Sequence, residues 1–245
     1  MLTMRIDVFL AENGFARSRS EAKALIDEGA VTVEGKVITK ASFDVSGKEA
    51  SVILDRSYKK YVSRGGYKLD GALCAFDIDV SDRLAIDVGA SSGGFTDCLL
   101  QRGARHVLAV DAGQGQLAAS LRDDARVSVY ENYNARYLDP SHFPYRPSFA
   151  CMDVSFISAT LILEALYRTL DDAADFVCLV KPQFEVGREG LGKGGIVKEE
   201  KLRIAALERV VSFGVAIGFT YINAITSPIK GGDGNIEYLV HFRKE

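Results

Sequence analysis

Metal chemistry has little to work with in this chain of 245 residues. It has three histidines, all scattered, and four cysteines, Cys74, Cys98, Cys151 and Cys178, none spaced as a ligand pair. No metal site is therefore expected, and the cysteines read as reduced thiols, three of them in apolar runs, of a cytoplasmic protein. The N-terminus, MLTMRIDVFL, lacks the apolar stretch of a secretory signal. The longest apolar run, Val210 to Phe219, contains Ser and Gly and is about half the length of a membrane span. No membrane association, internal repeat, low-complexity tract or obligate protein partner is expected.

The 47% of apolar residues is enough to build a core, and the 26% of charged residues is ordinary for a globular protein. The net charge of −3 hides an asymmetry: residues 1–68 carry 12 Lys/Arg against 9 Asp/Glu, and the remainder 18 against 24. A basic N-terminal part hints at an anionic partner, although so small an excess is also what ordinary solvated charge produces.

The patterning changes character near residue 68. Before it, Ile6, Val8, Phe9 and Leu10 suggest a short helix that ends at Asn13-Gly14. Ser18 and Glu21 form a capping box for a second helix, with Ala22, Leu25 and Ile26 buried and Gly29 as its stop. Strands are expected at 30–33, 36–38 and 50–54, with Glu34-Gly35 as a turn. After it, strands at 84–88, 107–110, 127–130, 149–153, 176–180, 220–225 and 236–243 alternate with helices at 94–102, 116–121, 157–170 and 198–214, the last strongly amphipathic. We therefore expect an α/β fold: a mostly parallel seven-stranded sheet with helices on both faces, preceded by a small α+β domain. The expected parts are residues 1–56, a basic-aromatic linker over 57–67, and 68–245.

The strongest local signal is Asp87-Val-Gly89-Ala90-Ser91-Ser92-Gly93-Gly94-Phe95, which joins the first strand of the large domain to its first helix. Its glycine spacing is not the G-x-G-x-x-G of dinucleotide folds. Asp87 argues for a cofactor with a cationic head. Asp111 closes the next strand, where a carboxylate can accept both hydroxyls of a ribose. Together these features resemble the class I Rossmann-like methyltransferases that use S-adenosylmethionine; a ligand-free helix turn is the plain alternative. A second glycine-rich run, Gly187 to Gly194, has P-loop spacing but Gly194 where a Ser or Thr would hold Mg²⁺. It is expected to be a mobile loop, either a lid or an RNA contact, or else a plain surface loop.

At the strand ends, Asp153 and Lys181 are candidates for chemistry. A ribose hydroxyl is a poor nucleophile, and a lysine could take its proton or stabilise the alkoxide; a neighbouring carboxylate would orient that lysine. Lys68 and Glu237 have equally plain readings as a solvated linker charge and an edge-strand charge.

The segments YVSRGGYKLDGAL, DVGASSGGFTD, CMDVSFIS, LVKPQFEVG and GNIEYLVHF resemble the TlyA family over nearly the whole chain. These are ribosomal RNA 2′-O-methyltransferases, some of which carry the name hemolysin. The catalytic half is similar to the FtsJ-type ribose methyltransferases, and the resemblance implies a catalytic tetrad at Lys68, Asp153, Lys181 and Glu237. It implies S-adenosylmethionine contacts at Asp87, Gly89, Ala90, Ser91, Ser92, Gly93, Gly94, Phe95, Asp111, Asn134 and Asp153. The N-terminal part resembles the RNA-binding domain named after ribosomal protein S-four, which implies RNA contacts at Arg5, Arg17, Arg19 and Lys23, joined by Lys59, Lys60 and Arg64 of the linker. The expected partner is ribosomal RNA or a ribosomal subunit. Rival readings are a cytolysin, disfavoured for want of a span or barrel pattern; a non-catalytic RNA-binding protein, disfavoured by the intact turn; and base methylation at nitrogen. The last usually shows an Asn-Pro-Pro-aromatic strand end, whereas this chain has Asp153-Val-Ser-Phe156.

Overall fold

The computed structural model describes residues 3–27, 29–38, 40–55, 61–232 and 234–245. The chain divides into two compact units, Met1–Lys60 and Tyr61–Glu245.

In the first unit, helices α1 (Ile6–Glu12) and α2 (Arg19–Asp27) pack on a three-stranded antiparallel sheet of β1 (Val31–Val33), β2 (Lys36–Val37) and β3 (Val52–Leu54), in the order β2-β1-β3. Ile6, Leu10, Ala22, Ile26, Val31 and Val45 form its core. Glu34 and Gly35 both take positive φ, 51° and 74°, as a two-residue hairpin turn requires. The capping box is displaced by one residue. Ser18 Oγ accepts from Glu21 N, but the Glu21 carboxylate accepts from Arg17 N at 2.7 Å rather than from Ser18. The strand expected from residue 50 starts at Val52, because Glu49–Ser51 coil into a 3₁₀ turn.

The second unit has strands β4 (Leu84–Val88), β5 (His106–Val110), β6 (Val127–Tyr130), β7 (Phe149–Met152), β8 (Asp175–Val180), β9 (Phe219–Thr226) and β10 (Tyr238–Lys244). They form one seven-stranded sheet in the order β6-β5-β4-β7-β8-β10-β9, parallel except for β10. Alternate strand residues feed two cores. Ile86, Val88, Leu108, Val110, Met152, Phe176 and Phe242 face one side; Ala85, Val107, Ala109, Phe149, Cys151 and Leu179 face the other. That is why these strands read as near-continuous apolar runs. Helices α4 (Gly94–Gln101), α5 (Ala119–Arg122), α6 (Thr160–Thr169) and α8 (Glu200–Ala216) fall close to the expected positions. The face of α8 is narrower than expected: Ala206, Val210 and Gly214 are buried, while Phe213 and Val215 are left exposed.

Two helices are additional to the expected elements: α3 (Gly65–Ala75) and the single turn α7 (Pro182–Glu185). Gly65, Gly66 and Gly71 disguise α3, since glycine disfavours helix interiors by about 1 kcal/mol each. Two of them are there for close packing. A Cβ on Gly66 would lie 2.2 Å from the buried Tyr61 ring, and one on Gly71 would lie 2.8 Å from Pro228. The linker expected to run to residue 67 therefore ends earlier, because Tyr61 is already in the core and α3 has begun by Gly65.

Candidate active site

The sheet order reverses between β4 and β7, and the carboxyl ends of strands on either side of such a point form a crevice. The turn after β4 is shaped by what it must avoid. Gly89 has φ +87°, and a Cβ there would lie 2.3 Å from the Asp153 carbonyl oxygen at the end of β7. Gly93 caps α4 at φ +95°, where a Cβ would strike Leu121 at 2.2 Å. Any larger residue would push these strand ends and helices apart.

Asp111, at the end of β5, holds this turn. Its Oδ2 accepts from Ser91 N at 2.8 Å and its Oδ1 from Gly113 N at 2.6 Å. A carboxylate offers about four lone-pair sites, so two remain for a ligand diol. Asp111 lines a cavity of about 380 Å³ with Gln116, Tyr133, Asn134, Phe156 and Ile157. Apolar walls with a few placed polar groups fit a nucleoside.

A second cavity of about 270 Å³ opens beside it, lined by Arg64, Lys68, Ala90, Ser92, Gly94, Phe95, Lys181 and Lys230 among others. Both cavities share Gly89, Ser91, Asp153 and Ser155. The four tetrad candidates meet here as two pairs. Lys181 Nζ lies 2.5 Å from Asp153 Oδ1 and donates to Ser155 Oγ at 2.8 Å. Lys68 Nζ lies 2.6 Å from Glu237 Oε2, both side chains being buried, and Gln183 Nε2 donates to Glu237 Oε1 at 3.3 Å. Helix α3 carries Lys68, β10 begins just after Glu237, and Asp153 and Lys181 immediately follow β7 and β8.

Of the expected cofactor contacts, Gly89, Ser91, Asp111, Asn134 and Asp153 line the larger cavity, and Ala90, Ser92, Gly94 and Phe95 the smaller. Gly93 turns instead toward Leu117 and Leu121. Asp87 lines neither cavity. It is fully buried, accepting from Thr96 Oγ1 of α4 at 2.6 Å and lying 3.7 Å from Cys151 Sγ. Its place is beneath the turn, because odd-numbered residues of β4 face the α4 side of the sheet. Sequence reasoning missed Ser155, Gln183, Gln116 and Tyr133; Ser155 and Gln183 fall inside the quoted segments but carry no signal that separates them from their neighbours.

Burial pushes the Asp87 carboxyl up to about 7; the Thr96 bond opposes this and the charge of Asp153 adds to it. An unfolded Asp titrates near about 4. Between about pH 4 and 7 the folded state keeps this proton and the unfolded state has lost it, so the Asp87 contribution lowers stability as pH rises, levelling above about 7. Asp87→Asn is neutral throughout and can still accept from Thr96. The difference in unfolding free energy between variant and wild type, measured by urea titration, is expected to grow in favour of the variant across that window. Parallel curves would contradict the assignment.

In the first unit, Arg5 and Arg19 both pair with Asp7, at 2.9 and 3.0 Å, and these contacts hold the Asp7 carboxyl down at about 2. Arg17 and Lys23 are exposed, and Arg17 borders a cavity with Phe15, Glu21 and Leu25. Lys59 and Lys60 lie outside the described residues. Arg64 precedes α3 in the second unit and donates to Lys230 O at 2.9 Å. The Gly187–Gly194 run continues into a segment held by the buried Asn235, whose side chain accepts from Val197 N and donates to Gly195 O. Among the described residues, no group of three or more His, Cys, Asp or Glu could hold a metal ion, and no helix is long and apolar enough to cross a membrane.

Residues 61–244 match the FtsJ-like methyltransferase family, and residues 4–50 match the S4 domain. The chain is 44% identical, over 98% of its length and 90% of the relative's, to the 16S/23S rRNA (cytidine-2′-O)-methyltransferase TlyA of Mycobacterium tuberculosis. It is 41% identical, over 98% of its length and 99% of the relative's, to a protein of Brachyspira hyodysenteriae named hemolysin A. A solved structure of a hemolysin-named protein from Streptococcus thermophilus superposes with a TM-score of 0.77 at 45% identity, covering 100% of this chain and 89% of the other.

Proposed function

Because the chain belongs to the FtsJ-like methyltransferases of the TlyA type, we propose that it methylates ribose 2′-hydroxyls of ribosomal RNA and that its site of action is the cytoplasm. It is an enzyme, and its cofactor is S-adenosylmethionine. The observation that carries the ribose reading is the pair of lysine–carboxylate contacts, Lys181–Asp153 and Lys68–Glu237, beside a cavity that adjoins the one Asp111 lines.

When bound, the cofactor supplies a methyl group on a sulfonium. Asp111 would hold its ribose, with Asn134 and Tyr133 on the same wall. Asp153 and Ser155, shared by both cavities, mark where the acceptor oxygen would meet the methyl carbon. Lys181 Nζ, steered by Asp153 and Ser155, would face that oxygen and manage its proton or its growing negative charge. Lys68, fixed by Glu237, would add a second cationic donor. In-line displacement depends on alignment, and these contacts restrict each side chain to one orientation. Residues 1–56 would position RNA, and the part from Tyr61 onward would carry the chemistry. The hemolysin name of two relatives suggests no separate activity, since the chain that matches them folds as a methyltransferase.

Transfer of labelled methyl to free ribosomal RNA, to each ribosomal subunit and to transfer RNA tests the reading. Label in one ribosomal substrate is expected. No transfer to any of them would overturn it.

RNA positioning has its own test. Arg17→Ala together with Arg19→Ala is expected to weaken RNA binding and flatten its salt dependence by roughly 0.7–0.9 in log–log slope for each phosphate that is no longer neutralised. Cofactor affinity is expected to stay unchanged. Arg19 also holds Asp7, so Arg17→Ala alone is the cleaner member of the set. An unaltered salt slope would leave these arginines as ordinary surface charge.

A further inference from the structure

We propose that Glu185 is a positioning residue for methyl transfer, locking the segment that follows Asp153 onto the turn that follows Lys181. The inference rests on the roles proposed above for Asp153 and Lys181.

Glu185 closes α7, four residues beyond Lys181, and is 6% exposed. Its carboxylate bridges to the other strand end. Oε2 accepts from Ser158 Oγ at 2.6 Å and Oε1 from Ala159 N at 2.7 Å. Helix α6 has no capping side chain from its own N-cap residue, Ala159. Glu185 supplies the negative charge and acceptor atoms that a helix N-terminus favours, from a different element. Ser158 Oγ also meets Thr160 Oγ1 at 2.7 Å, and Arg209 of α8 donates to the Glu185 carbonyl, so the junction is fastened from three elements.

The two segments are thus joined at both ends. At the near end Lys181 contacts Asp153 and Ser155; at the far end Glu185 contacts Ser158 and Ala159. Between them the rings of Phe156 and Phe184 lie 5.2 Å apart. Phe156 has φ +63°, unfavourable for a bulky side chain, so the 153–159 segment does not adopt its path by local preference. Without the far fastening, that segment would relax and carry Asp153 and Ser155 away from Lys181. Glu185 lines neither of the two cavities, so its effect would come through the residues it places.

The test compares Glu185→Ala, Glu185→Gln and Ser158→Ala with wild type and with Lys181→Ala in the full chain. A misplacement of about 1 Å can cost roughly 10²-fold in rate, so Glu185→Ala is expected to lower kcat by up to that factor. The KM for RNA and the calorimetric Kd for S-adenosylmethionine are expected to stay within a few-fold. Glu185→Gln, which retains an acceptor for Ala159 N, is expected to recover most of the rate. Hydrogen exchange is expected to rise in residues 154–160 of Glu185→Ala while the 89–95 turn stays as protected as in wild type; this readout does not depend on which RNA is the substrate. If Glu185→Ala does not fold, Ser158→Ala is read the same way, with a smaller loss. An unchanged kcat, or a loss matched by an equal loss of cofactor affinity, would overturn the proposal. Wild-type protein that transfers no methyl would overturn the functional reading instead, and the exchange data would still report whether Glu185 fastens the segment.

Discussion

Lys181→Ala is expected to abolish methyl transfer while the protein remains folded and binds S-adenosylmethionine within a few-fold of wild type. The Lys181 side chain is largely buried at the end of β8, with its ammonium against Asp153 and Ser155. It lines the smaller cavity, not the one Asp111 borders. Loss of a group that handles the acceptor proton typically costs about 10²–10⁴-fold in rate. Loss of an ordinary exposed charge changes energies by only about 0–1 kcal/mol. The two outcomes are far enough apart for single-turnover kinetics with saturating cofactor to separate them. A variant that binds both ligands and methylates within a few-fold of wild type would remove Lys181 from the reaction.

Asp111→Ala is expected to have the opposite profile, with cofactor affinity collapsing. Hydrogen bonds to a charged group contribute about 1.5–3 kcal/mol each. Two such bonds to a ribose diol would correspond to roughly 10²–10⁴-fold in Kd, at about 1.4 kcal/mol per tenfold. The same carboxylate also accepts the Ser91 and Gly113 N–H groups, so its removal loosens the turn that forms the cavity floor. Calorimetry is the measurement, with RNA affinity as the control expected to hold. A Kd within a few-fold of wild type would show that the ribose is held elsewhere.

Much of this architecture is legible in the residue pattern. β4, β5, β7 and β8 bury both faces, so their runs of apolar residues stand out, and the strand ends at Asp111, Asp153 and Lys181 follow from them. The features that are hidden have identifiable causes. α3 is obscured because glycines at 66 and 71 serve tight packing against Tyr61 and Pro228, which lowers helix propensity. Asp87 looks like a ligand contact because a carboxylate at a strand end is normally solvated; only its position under α4 reveals the Thr96 bond and full burial. Lys68 and Glu237 are 169 residues apart and nothing local links them, so only the family resemblance pairs them. Glu185 gives no signal at all, since its two partners lie on a different segment.

The central claim is that the methyl group goes to a ribose oxygen. Its most direct test is to digest the labelled ribosomal RNA completely to nucleosides and identify the labelled product by mass spectrometry. A 2′-O-methylated nucleoside, absent from the Lys181→Ala reaction, is the expected result, and the undigested RNA is expected to resist alkaline cleavage at the linkage 3′ to that position. Label in a base-methylated nucleoside would contradict the account.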